Sequence, residues 1–205
     1  MNPDTAREDL AFLRGLVQPD EQWRRGFGQS YAAAGGCYGT QMVLHGLQGL
    51  GIIPSTPLIS TLVGAGPSVV FVLLLVVILR RNSLRAAGGG VTSRAVGAVF
   101  SAVGTANFFL IAMFGSAALR EHNFRIWLLY PCVVLVMQGA AWMVAWTLRR
   151  QAWFAVVAVG WFVTGLAMGL TVENIGWFIL FGAIGFFAFM LVPGLVMMRQ
   201  ARPAN

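Results

Sequence analysis

Long apolar runs separated by short arginine-bearing segments dominate the chain. Six runs stand out, at residues 27–48, 58–79, 95–118, 126–148, 152–171 and 175–198. Each holds about 20 residues, enough to cross roughly 30 Å of hydrocarbon at about 1.5 Å per residue. The pattern predicts an all-α integral membrane protein whose six transmembrane helices form three hairpins. The last two runs are parted only by Thr171–Asn174. The polar Glu173 and Asn174 at that point favour a tight turn over one continuous helix.

Ahead of the runs lies a different pattern. Ala6, Leu10, Leu13 and Val17 recur on one helical face, Thr5 and Glu8 make a T-x-x-E capping box, and Pro19 closes the segment. This reads as an amphipathic helix lying in the membrane interface. Its acidic, mixed start lacks the short apolar core and small-residue cleavage site of a signal peptide. The expected organisation is a cytoplasmic amphipathic helix and entry segment (1–25), a six-span membrane domain (26–199) and a short cytoplasmic tail (200–205). The one plausible linker runs from Arg80 to Arg94 and contains three consecutive glycines. Pro67, Pro131 and Pro193 fall in the even-numbered runs, and "YGTQ" in the first run faintly echoes "VGTAN" in the third, as three related hairpins would.

Composition agrees with a membrane class: 58% of the 205 residues are hydrophobic and only 10% charged, against about 25% charged in soluble domains. The net charge of +7 comes from arginine alone. The arginines cluster at run ends and form no contiguous basic stripe, which excludes a nucleic-acid surface. Arg7, Arg14, Arg24, Arg25, Arg80, Arg81, Arg85, Arg94, Arg149, Arg150, Arg199 and Arg202 fall on one side of the predicted topology, and Arg120 and Arg125 on the other. The positive-inside rule then puts both termini in the cytoplasm. Trp23, Trp146 and Trp153 mark the inner interface, and Trp127, Tyr130 and Trp177 the outer one. The expected location is the inner (plasma) membrane of a bacterium, arginine without lysine fitting a GC-rich genome.

Helices in lipid associate by close packing and interhelical hydrogen bonds. Small-residue ridges that suit such packing occur at Gly35/Gly39, Ser60/Gly64/Ser68, Gly97/Ser101/Thr105 and Gly165/Gly169. Packing within the chain is the first expectation for them, and self-association the second. Pro67 and Pro131 are expected to kink their helices. Cys37 and Cys132 lie inside apolar runs, form no CxxC, and read as small buried residues.

The first run is the odd one. Tyr31, Tyr38, Gln41, His45 and Gln48 fall within an arc of roughly 100° on a helix. Gly28, Ala32, Gly35, Gly39 and Gly46 line the neighbouring arc, leaving Cys37, Thr40, Leu44 and Leu47 facing outward. Such a helix should be enclosed by protein. Asn107 in the third run and Gln138 in the fourth are the expected partners of its polar stripe. Tyr38, Gln41, His45, Gln48, Asn107 and Gln138 are thus the candidates either for polar packing or for a ligand site. His45 and His122 are weak candidates for a metal or haem, since nothing in the sequence brings them together.

No acid lies inside any run, and no HExxH, GxSxG or phosphate-binding Gly-Lys-Ser/Thr pattern occurs. The chain is therefore expected to be non-enzymatic and without a cofactor: an accessory, scaffold or regulatory subunit in contact with lipids and other membrane subunits. The alternative is a binder of a small molecule, lipid or quinone, or a small transporter, using the polar face of the first run. A haem- or pigment-binding protein is the third reading.

Overall fold

The computed structural model describes residues 21–83 and 90–201. The predicted amphipathic helix, the centre of the Arg80–Arg94 linker and the end of the tail lie outside those residues. The rest is helical: α1 (Glu21–Gly49), α2 (Pro57–Ser83), α3 (Val91–Arg120), α4 (Phe124–Arg149), α5 (Ala152–Leu170) and α6 (Ile175–Gln200). The helices extend past most of the apolar runs that predict them, because the flanking polar residues continue the backbone hydrogen-bonding ladder.

Local chemistry explains the boundaries. Pro57, with no amide hydrogen to satisfy, starts α2 behind Thr56, whose hydroxyl accepts from the Ile59 amide at 3.4 Å. The side chains of Asn123 and Asn174 cap α4 and α6 by accepting from Arg125 N and Trp177 N. Arg150 ends α4 in the left-handed conformation, with φ 53°. Within α6, residues Phe187–Leu191 form a π-helical turn just before Pro193. Proline cannot donate to the carbonyl four residues back, and a local widening of the helix accommodates that loss.

Helices α2 to α6 are each long and apolar enough to cross a membrane, so the chain is a multi-pass membrane bundle. Helix α1 is as long but too polar to meet that measure. The end of the bundle where α1 begins is called proximal here, and the end where it finishes distal.

Helix α1 is the hub of the bundle. It packs along the whole of α6 and also against α2, while α4 pairs with α3 on one side and α5 on the other. α2 and α3 are peripheral: only 6% of the apolar stretch of each is buried, against 33%, 44% and 28% for α4, α5 and α6. α2 and α3 make no extended contact with one another. The core is aromatic and sits toward the proximal end. Trp142, Phe154 and Trp161 are at most 2% exposed, and stacked Trp23, Phe27 and Tyr31 run up one face of α1 to meet Phe100 and Trp142.

Candidate functional site

The two arcs of α1 hold two different helices. Along the small-residue arc, α6 approaches backbone to backbone. A Cβ on Gly28 would lie 2.8 Å from the Gly194 carbonyl oxygen, and one on Gly39 2.7 Å from the Phe187 ring. At Gly35 it would overlap the backbone of Leu191, within the π-helical turn. Gly46 faces Ile179 across ordinary contact distance. The ridge thus serves packing within the chain, as expected for a small-residue seam.

The polar arc faces the small-residue ridge of α2, nearly rung for rung. Gln41 Nε2 donates to the Gly64 carbonyl at 2.9 Å and Gln48 Nε2 to Ser60 Oγ at 3.3 Å, while Tyr38 packs between Phe71 of α2 and Phe186 of α6 at ring separations of 5.4 and 5.7 Å. His45 Nδ1 stands 3.2 Å from Gln48 Oε1 and so holds the last rung in place. Pro67 removes the amide that would donate to the Val63 carbonyl, one residue before the Gly64 carbonyl that takes Gln41. Partly buried amide and imidazole groups need partners, so the ladder fixes the register of α2 on α1.

Asn107 and Gln138 do not meet this ladder through Gln41. Asn107 Oδ1 accepts from the Tyr130 hydroxyl at 2.7 Å, joining α3 to α4. Tyr130 is held between Trp127 and Phe114, at ring separations of 5.0 and 6.4 Å. Gln138 stands eight residues further along α4, about 12 Å away. Its Oε1 is buried with no hydrogen-bond partner among the described residues.

Neither histidine gathers a ligand set. His122 is exposed in the distal α3–α4 turn at φ 47°, and among the described residues no three His, Cys, Asp or Glu come together. Cys37 and Cys132 are free thiols.

Two arrangements go beyond what helical periodicity indicates. Tyr31 is 5% exposed, and its hydroxyl accepts from Trp142 Nε1 at 2.6 Å and Trp161 Nε1 at 2.8 Å, tying α1, α4 and α5 at one atom. The available signal was that Trp142 and Trp161 fall inside their runs, away from the interfacial ends. At the proximal end the Arg149 guanidinium lies 4.6 Å from the Trp23 ring centroid and donates to buried Ser93 at 2.9 Å. This cation–π and hydrogen-bonded contact locks the ends of α4 and α3 to the start of α1.

Comparison with protein-family models, curated proteins and solved structures finds no match for this chain. Its function is argued from its own geometry.

Proposed function

We propose that this protein is a non-enzymatic accessory or scaffold subunit of a larger membrane assembly, and that its third helix is the docking element. The proposal includes six crossings with both termini cytoplasmic, from the distribution of arginines, and a bacterial inner-membrane location.

The observation that carries it is the outward face of α3. On α5 the exposed face is Val156, Val159, Val163, Leu166 and Leu170, and on α2 it is similarly aliphatic, as suits lipid tails. On α3 the corresponding stripe is Ala98, Ser101, Thr105, Ala112 and Ser116, all exposed, with Phe108 and Phe109 standing beside it at 74% and 69% exposure. The Thr105 and Ser116 hydroxyls donate to carbonyls of their own helix, leaving a shallow furrow beside two aromatic rings. Small residues let another helix approach closely, whereas lipid gains little from them. The fourfold glycine steps on α1 are already filled by α6, so α3 is the ridge still available for a partner.

The test is the size of the particle in mild detergent. Wild-type protein should migrate as a complex, and replacing Ser101 and Thr105 together by leucine should reduce it to the single chain. Replacing Val159 and Val163 by alanine on α5 should leave the complex intact. A wild-type protein that extracts as a lone monomer would sink the reading.

A further inference from the structure

The two ends of the bundle differ in charge. Distally, Arg120 and Arg125 are matched by Glu121 and Glu173, and Arg125 is paired with Glu173. Proximally, eight arginines among the described residues, on α1, α2, α3, α6 and at the end of α4, stand against one acid, Glu21. Six of them, Arg24, Arg25, Arg81, Arg94, Arg150 and Arg199, have no carboxylate partner among the described residues. All of these but Arg24 are exposed. Packing gathers the helix ends that carry them around the first two turns of α1. A Cβ on Gly26 would lie 2.6 Å from Asn82 Nδ2, at the end of α2. One on Gly97, near the start of α3, would lie 3.2 Å from Trp23 Nε1. One on Gly28 would lie 3.1 Å from Met197 and Met198 of α6, and Arg149 of α4 covers the Trp23 ring. Four arginine-bearing helix ends thus surround a fifth.

We infer that this proximal ring of arginines is a binding surface for anionic phospholipid, gathering negatively charged phosphodiester headgroups in preference to zwitterionic ones. Depth favours lipid over a soluble acidic partner. The arginines follow directly on apolar stretches, at Leu79–Arg80 and Leu148–Arg149, so they lie at the level of the headgroups. Guanidinium suits the partner, since its planar fork matches a phosphate in a way that a point charge does not. Charge also favours lipid over the chain's own N-terminus. The acids Asp4, Glu8, Asp9 and Asp20 share their segment with Arg7 and Arg14, too small an excess to neutralise eight arginines. None of the six unpaired arginines belongs to the docking stripe of α3, so the two roles stand or fall separately.

The experiment uses the full chain in phosphatidylcholine vesicles, with spin-labelled phosphatidylglycerol or spin-labelled phosphatidylcholine as the probe lipid. The fraction of each probe immobilised on the protein is the readout. Wild type should hold phosphatidylglycerol about three- to tenfold more strongly at low salt, around the gain that one arginine contributes beside an anionic surface. The preference should largely vanish at about 1 M sodium chloride, where the screening length falls to about 3 Å. Arg81→Gln with Arg94→Gln should lower it by about half or more, whereas distal Arg120→Gln should leave it unchanged. The salt series on wild type keeps the test decisive if the double variant folds poorly. Equal immobilisation of the two probes at low salt overturns the inference, as does a preference that neither salt nor the double variant reduces. Competition by inorganic phosphate beyond that of chloride at equal ionic strength would assign the arginines to a free anion instead. An indifferent wild type that gains the preference when Asp4→Asn, Glu8→Gln, Asp9→Asn and Asp20→Asn are combined would give the surface to the chain's own N-terminus. Either result also overturns the inference.

Discussion

Gly35 of α1 and Leu191 of α6 are in backbone contact, and the space for a side chain at position 35 is already occupied by the Leu191 backbone. One residue on, Gly36 has nothing within 4 Å of where its Cβ would be. The adjacent glycines therefore make a matched pair of probes. Gly35→Ala should destabilise the bundle by about 1–3 kcal/mol, since backbone cannot yield as a flexible side chain can. Gly36→Ala should be neutral or stabilising by about 0.5–1 kcal/mol, because alanine suits a helix interior better than glycine. Thermal unfolding of the two variants in one detergent separates them, and equal melting temperatures would contradict the α1–α6 seam.

Tyr31 is a second point of failure. Removing its hydroxyl leaves two buried indole N–H groups, on Trp142 and Trp161, with nothing to donate to. Each orphaned donor costs about 1–3 kcal/mol, so Tyr31→Phe should be markedly destabilising although only one oxygen is lost. Trp142→Phe added to Tyr31→Phe should cost less than the sum of the two single changes, because one orphan disappears with its indole. Strict additivity in that double-mutant cycle would show that the hydroxyl does not join the helices.

The periodicity of α1 made both of its arcs legible, since a helix that is polar on one stripe and small on the next needs two kinds of neighbour. The Ser60/Gly64/Ser68 ridge was equally legible by itself. That the polar stripe and this ridge are partners was not, because register between helices is a tertiary property that neither periodicity contains. Asn107 and Gln138 were expected opposite Gln41 on depth alone. Gln41 instead takes the Gly64 carbonyl, a backbone acceptor that exists in every sequence and so leaves no mark in any. The aromatic core was hidden for a similar reason: tryptophans read as interface markers unless their depth is weighed residue by residue. The kinking attributed to Pro67 and Pro131 overlooked Pro193, where the widened turn of α6 is found.

Gln138 should report the cost of an unmet acceptor. Its Oε1 is buried without a partner among the described residues, and such a group carries a desolvation penalty of about 1–3 kcal/mol. Gln138→Leu, close in size and without polar atoms, should therefore raise the melting temperature in detergent. Gln138→Glu should lower it, since a carboxylate there would be costlier still. A destabilising Gln138→Leu would mean that the amide has a partner, such as a bound water or a ligand atom.

Whether α1 crosses the membrane is the test on which the six-span topology turns. Taken alone, the helix is too polar for lipid, and a five-span bundle with α1 on the surface would be the simpler reading of hydropathy. Its polar groups, however, are spent inside the bundle: Tyr31 on two tryptophans, Gln41 on a backbone carbonyl, and His45 and Gln48 on one another and on Ser60. A helix whose polar side chains are satisfied by its neighbours loses the penalty that hydropathy assigns to it. Arg25, in the second turn of α1, and Ile52, three residues past its end, are both exposed. Single cysteines at these positions, in a chain with Cys37 and Cys132 replaced by alanine, should react with a membrane-impermeant maleimide from opposite sides. Arg25→Cys should label only from the cytoplasmic side and Ile52→Cys only from the other. Labelling of both from one side would place α1 outside the hydrocarbon and reduce the protein to five crossings.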